Sequence, residues 1–176
     1  DPDTSRGPAL FVLATTWRSD GDRDQTLVAR LQRRIAGLRS PMGALRHKNQ
    51  VLRLSRDAAG ALRREVIVDD LPTAFYHAGG SIAVGPDGHL YVGVGDAMLP
   101  QLARDPHAPL GKLLRYTRDG RIPADNPDPT SPVFVRGLRN TQAIAWLGDG
   151  TLLGADHGPS GMAHEAGLQG RDEFNV

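Results

Sequence analysis

The chain of 176 residues has no cysteine. That excludes a disulfide scaffold, thiolate metal sites and thiol catalysis, and it is compatible with an oxidising compartment. Long apolar runs are missing too: no stretch approaches the ~18 uninterrupted apolar residues of a transmembrane helix. The start shows no charged n-region followed by an apolar h-region, so any signal peptide has been removed or left out. Charge of one sign is not in excess: 21 basic and 20 acidic side chains leave a net charge of +1. Such a balance carries no polyanion-binding signature, so nucleic acid is not expected as a partner. Turn chemistry, in contrast, is abundant, with 21 glycines and 13 prolines. That is above ordinary usage but short of low complexity. The hydrophobic fraction of 39% suffices for a core and argues against disorder throughout.

Most of the chain reads as short strands between turn signals. Ala9 to Thr16 is apolar and partly β-branched, and Val51 to Ser55 and Glu65 to Val68 flank an Asp57–Gly60 turn. Ser81 to Val84 and His89 to Val94 flank Gly85-Pro86-Asp87-Gly88, where Pro presets φ and Gly accepts a positive φ. Lys112 to Thr117 and Val133 to Arg136 are further strand candidates, and Ala143 to Leu147 and Thr151 to Ala155 flank Gly148-Asp149-Gly150. Evenly spaced short strands and Asp-Gly turns predict an all-β fold. The stretch from Asp87-Gly88 to Asp96 resembles that from Asp149-Gly150 to Asp156, offset by about 60 residues. A strand–turn–strand unit repeated at such a period points to propeller blades, with a Greek-key sandwich as the alternative.

One segment departs from this pattern. Thr26 to Leu38 places Leu27, Leu31, Ile35 and Leu38 on one helical face, with Asp24 as a cap and Gly37 and Pro41 at the end. Its arginines read as the solvated side of a packed helix. The preceding Asp20-Gly21-Asp22-Arg23-Asp24 is not a calcium loop, because Leu31 stands where the bidentate glutamate belongs.

Four places carry residues suited to chemistry. His77 precedes Gly79-Gly80 and a strand, where backbone approaches a ligand closely. Asp96 ends the strand expected to pair with the one after His77; if they form a hairpin, its carboxylate returns near the imidazole and orients it as a general base. Arg139-Asn140 offers a guanidinium and an amide to an anionic or quinonoid ligand. Asp156-His157-Gly158-Pro159, followed by Asp172-Glu173, supplies carbonyl and carboxylate oxygens of the kind calcium prefers. For each, a loop or surface role is the competing reading.

In order along the chain these motifs resemble the soluble quinoprotein glucose and sorbosone dehydrogenases, including the aldose sugar dehydrogenases. The resemblance runs from about Asn49 to Asn175 and rests on several short motifs. They include His77 to Gly80, Gly85 to Val92, Gly95-Asp96, Gly111 to Arg115 and Asp119 to Pro127. Pro132 to Phe134, Gly137 to Asn140, Ala143 to Trp146, His157 to Pro159 and Asp172 to Asn175 complete the set. The resemblance implies a six-bladed β-propeller that binds pyrroloquinoline quinone (PQQ) and calcium and oxidises aldose sugars at C1 to lactones. By it, His77 is the general base, Asp96 orients His77, and Arg139 polarises the reacting quinone oxygen. Arg139, Asn140 and Gln101 contact the cofactor. Gly158 and Pro159 give backbone carbonyls to the calcium, and Asp172 and Glu173 match an acidic pair near a second, structural calcium. A periplasmic or secreted location follows from the same resemblance. The identity of the sugar, the electron acceptor and the formation of a homo-oligomer stay open.

The sequence also departs from the family's pattern. A closed six-bladed ring needs more than ~240 residues, so residues 1–176 are expected to form a partial propeller domain of about three to four blades, a fragment or a truncated relative. Arg18 to Pro41 reads as a helical insertion and Ser160 to Arg171 as a loop insertion. Thr141 stands where the family has Pro, and Arg104-Asp105 where many members have Gln-Asp. Two further readings compete with the sugar dehydrogenase: a non-catalytic propeller fragment binding carbohydrate or protein, and a calcium-dependent lactonase on a related propeller.

Overall fold

Short apolar runs cut by Asp-Gly and Pro turns fold into three antiparallel meanders, seen in a computed structural model that describes residues 8–17, 47–161 and 170–176. The first sheet joins β1 (Ala9–Trp17), β2 (His47–Arg56) and β3 (Leu62–Thr73). The second joins β4 (Ile82–Val84), β5 (Leu90–Val94), β6 (Lys112–Tyr116) and β7 (Val133–Arg136), with a short helix α1 (Pro100–Ala103) between β5 and β6. The third joins β8 (Thr141–Trp146), β9 (Leu152–Asp156) and β10 (Glu173–Asn175). Strands adjacent in sequence are adjacent in each sheet, the arrangement of successive propeller blades. The described residues thus form three blades, within the three to four expected. The helix expected over 26–38, the rejected Asp20–Asp24 loop and the insertion at 18–41 lie outside the described residues, as do residues 162–169 of the second insertion.

Blade two is the centre of the packing. All five residues of β5 and all five of β6 are buried, so both faces of these strands are covered. Leu90, Val92, Val94, Leu110 and Leu114 cluster with Val51, Val68 and Leu71 of blade one. On the other face Tyr91 meets Trp146 of blade three edge-on at 5.0 Å and Phe134 of β7 at 5.3 Å. Each fully buried Val or Leu contributes roughly 1.5–3 kcal/mol relative to leaving it in water.

A buried cation ties the blade to its turns. Arg115 on β6 donates to Asp87 in the β4–β5 turn at 2.7 Å and to Asp125 at 2.9 Å, and stacks 5.5 Å from the Phe134 ring. Burial works to raise the Asp87 carboxyl, but bonds from Arg115, the His89 N–H and Tyr91 outweigh it and hold the group down at about 2. Asp87, read from sequence as turn chemistry, is therefore also an ion-pair partner within the blade.

The internal repeat of the sequence corresponds to the first hairpins of successive blades, β4–β5 and β8–β9. Its two aspartates, Asp96 and Asp156, follow or end the second strand of each hairpin. The C-terminal ends of β3, β5, β7 and β9 deliver the loops that meet at one end of the arc.

Candidate active site

The loop after β3 turns sharply. His77 has φ of 52°, and Ala97, whose N–H donates to the His77 carbonyl at 3.4 Å, and Met98 have φ of 53° and 63°. Three non-glycine residues in the left-handed region cost about 1–3 kcal/mol each, and such strain gathers where geometry serves function. Its restraints are visible. The Ala78 carbonyl accepts the Asn49 amide at 2.9 Å, and Asn49 in turn accepts the Thr15 hydroxyl at 2.7 Å. The Gly79 N–H donates to Asn140 Oδ1 at 3.0 Å. Gly95 is the tightest point: a Cβ there would lie 2.5 Å from the His77 carbonyl carbon and 2.8 Å from Gly79 N. Only a glycine lets the β5 exit run against the His77 loop.

That close approach brings the imidazole and the carboxylate together. His77 Nδ1 donates to Asp96 Oδ1 at 2.6 Å, and the same oxygen accepts the Met98 N–H at 2.9 Å. The two side chains are 9% and 4% exposed, so water screens the pair weakly. A carboxylate accepts only, so Nδ1 carries the hydrogen and Nε2 is left as the basic nitrogen.

Asp156 performs the equivalent service one blade on. Its carboxylate accepts the Arg139 N–H at 2.7 Å, the Asn140 N–H at 2.8 Å and the Thr141 hydroxyl at 3.2 Å. Thr141, standing where a proline was expected, is thus buried and bonded. The Arg139 guanidinium reaches the next turn, donating to the His157 carbonyl at 2.9 Å. The Asp96 N–H donates to the Arg139 carbonyl at 2.7 Å, closing the circuit between blades two and three.

A cavity of about 530 Å³ opens between these loops. Of the residues singled out from sequence, His77, Asp96, Gln101, Arg139 and Pro159 line it. Gln101 arrives on α1, and Arg104 stands beside it in the lining. Asn140 does not line the cavity; its side chain holds the His77 loop through Gly79. Gly158 is buried next to Pro159, and its N–H donates to Asp172 Oδ1 at 2.8 Å. Asp172 therefore fixes the Gly158-Pro159 turn, while Glu173 is exposed at the start of β10, opposite Asp156 in the ladder. Among the described residues no three His, Cys, Asp or Glu side chains gather around a common metal point.

Sequence reasoning missed two contributors. Met98 lines the cavity, with no motif to mark it. Lys112, fully buried, donates to the carbonyls of Leu102, Ala103 and Leu110 at 2.9, 2.7 and 2.7 Å. Burial pulls its ammonium down to about 8, and each of its three hydrogens has an acceptor. It holds the segment that presents Gln101 and Arg104.

Comparison with known proteins identifies the family. The family model for glucose/sorbosone dehydrogenase matches residues 39–176. The chain belongs to the glucose/sorbosone dehydrogenase family. It is 33% identical over 112 residues to quinoprotein glucose dehydrogenase B of Acinetobacter calcoaceticus, covering 51% of this chain and 23% of that protein. It is 31% identical over 108 residues to the aldose sugar dehydrogenase YliI of Escherichia coli (strain K12), covering 57% and 26%. The PQQ-bound aldose sugar dehydrogenase of Streptomyces coelicolor superposes with a TM-score of 0.63 at 33% identity, over 73% of this chain and 37% of that one. The chain thus spans about a quarter of the length of the curated family members it matches. No helix among the described residues of this family member is long and apolar enough to cross a membrane.

Proposed function

We propose that this chain carries the His77–Asp96 half-site of a PQQ- and calcium-dependent centre that oxidises aldose sugars at C1 to lactones. The observation that carries the reading is the short His77–Asp96 contact opening on a cavity shared with Arg139 and Gln101. The donor set suits the cofactor: two guanidiniums, Arg104 and Arg139, and the Gln101 amide face a space large enough for a planar, carboxylated quinone. Arg139 and Gln101 would hold it, with Asn140 fixing the loop beneath. The carbonyls of Gly158 and Pro159 would give calcium two of the 6–8 oxygens it takes. PQQ, when bound, would supply the two-electron acceptor for the C1 hydride, and calcium would supply positive charge to the site.

The protein's part is proton transfer, position and electrostatics. His77 Nε2 takes the proton of the C1 hydroxyl as C1 becomes the lactone carbonyl. Asp96 holds the tautomer that leaves Nε2 basic and stabilises the imidazolium as it forms. Arg139, anchored through its own backbone by Asp156, presents fixed positive charge where negative charge develops, so no solvent has to reorganise. A periplasmic or secreted location belongs to the same reading. It is tested by titrating PQQ into the chain, and into the longest natural polypeptide containing it, with millimolar calcium and following absorbance. Saturable, calcium-dependent binding weakened by Arg139→Gln is expected. Absence of binding in both polypeptides would refute the reading.

A further inference from the structure

At the opposite end of blade one from His77, the β2–β3 hairpin encloses a second cavity, of about 600 Å³. Four arginines, Arg53, Arg56, Arg63 and Arg64, line it together with Ser55. The ladder pairs Arg53 with Glu65 and Ser55 with Arg63, so these four side chains share one face of the blade. We propose that this cavity is an anion site that takes a small tetrahedral oxyanion of the phosphate type.

Arg53 is the decisive residue. It is only 8% exposed, and its Nε is buried without a hydrogen-bond partner among the described residues. A guanidinium cannot shed its charge, and a buried donor of this kind left unbonded is costly. Glu65 stands across the ladder from Arg53 yet leaves that Nε unbonded. Two of the neighbouring charges are already engaged. Asp57 accepts the N–H groups of Ala59 and Ala61 at 2.9 and 3.0 Å, and Arg56 donates to the Gly60 carbonyl at 2.7 Å. Against four arginines the lining holds two carboxylates, Asp57 and Glu65. On the face that Arg53 shares with Ser55 and Arg63 the one carboxylate is Glu65, so two guanidiniums stand against a single negative charge and an oxyanion supplies what is missing. Guanidinium forks bond tetrahedral oxyanions with two parallel N–H donors, and the Ser55 hydroxyl adds a neutral one. None of these residues belongs to the sugar-oxidation site.

The test is a calorimetric titration of the chain with inorganic phosphate at constant ionic strength, paired with thermal unfolding. One saturable site is expected, with a Tm that climbs as phosphate exceeds its Kd. Arg53→Gln and the exposed Arg63→Gln are each expected to weaken binding about tenfold or more. Arg63→Gln keeps the unliganded Tm of the wild type, so its loss of binding does not reflect misfolding. A sugar phosphate that binds more tightly than inorganic phosphate would make the group part of a larger ligand, and equal binding would make phosphate itself the ligand; both support the site. A response no different from matched chloride, acetate binding as tight as phosphate, or undiminished binding in both variants would overturn it.

Discussion

Gly95→Ala perturbs the site through a single methyl group. The new Cβ would lie 2.5 Å from the His77 carbonyl carbon and 2.8 Å from Gly79 N, where ordinary contact begins at 3.4 Å. Both neighbours are backbone and cannot rotate away, so the His77 loop must move by about 1 Å. Forcing extra atoms into a packed region typically costs ~1–3 kcal/mol. At roughly 2–4 °C per kcal/mol for a chain of this size, Tm should fall by about 2–12 °C. The displacement also stretches the His77–Asp96 contact, and a misplacement of ~1 Å can cost ~10²-fold in rate. Gly154→Ala is the control, since a Cβ there meets nothing within 4 Å. The assay is thermal unfolding of both variants, followed by dye-coupled sugar oxidation. A Gly95→Ala protein that melts within a degree of the wild type, or no lower than Gly154→Ala, would refute the close-approach argument.

Three other perturbations have defined outcomes. Asp156→Ala strips the acceptor from the Arg139 and Asn140 N–H groups and the Thr141 hydroxyl; at the low end of ~1–3 kcal/mol for each of these three largely part-buried donors, a loss of about 3 kcal/mol in denaturant unfolding is expected. Lys112→Met leaves the Leu110 carbonyl without its donor and loosens the Gln101–Arg104 segment; a loss of about 1–3 kcal/mol and a weaker PQQ titration should follow. Asp87 titrates at about 2 in the fold against 3.8 unfolded, so its stabilisation is complete above pH 4 and disappears as pH falls through 2. The shift corresponds to about 2 kcal/mol, cut to about 1 kcal/mol by screening at a side chain 31% exposed. Unfolding curves of Asp87→Asn and wild type should therefore converge between pH 4 and pH 2, and a constant gap would contradict the ion pair.

Strand positions were legible because most are short apolar runs bounded by Asp-Gly or Gly-Pro turn signals; β4 to β9 sit within a residue or two of expectation. Less legible were the elements lacking that signal. β10 is only Glu-Phe-Asn, whose acidic residue drew attention as a ligand while its backbone pairs with β9. The helix α1 is four residues long, too short for any periodicity. β2 and β3 run beyond their expected spans because pairs such as His47 with Thr73 and Ser55 with Arg63 continue the ladder, while Gln50 and Asp69, joined at 2.9 Å, bridge the bulge within it. In the site, the proximity of His77 to Asp96 was inferable from a hairpin that returns the carboxylate toward the loop preceding its first strand. The role of Asp156 under Arg139 was foreshadowed by the internal repeat alone. Lys112 was hidden, since a lysine in a strand reads as surface until the fold folds three carbonyls around it.

The central claim is that His77, oriented by Asp96, is the base of a quinone-linked sugar oxidation. Dye-coupled turnover of a panel of aldoses, in PQQ- and calcium-loaded protein, compares wild type with His77→Ala and Asp96→Asn most directly. The account predicts PQQ binding retained in both variants, with turnover reduced ~10²–10⁴-fold in His77→Ala and less severely in Asp96→Asn. Turnover undiminished in His77→Ala would contradict it.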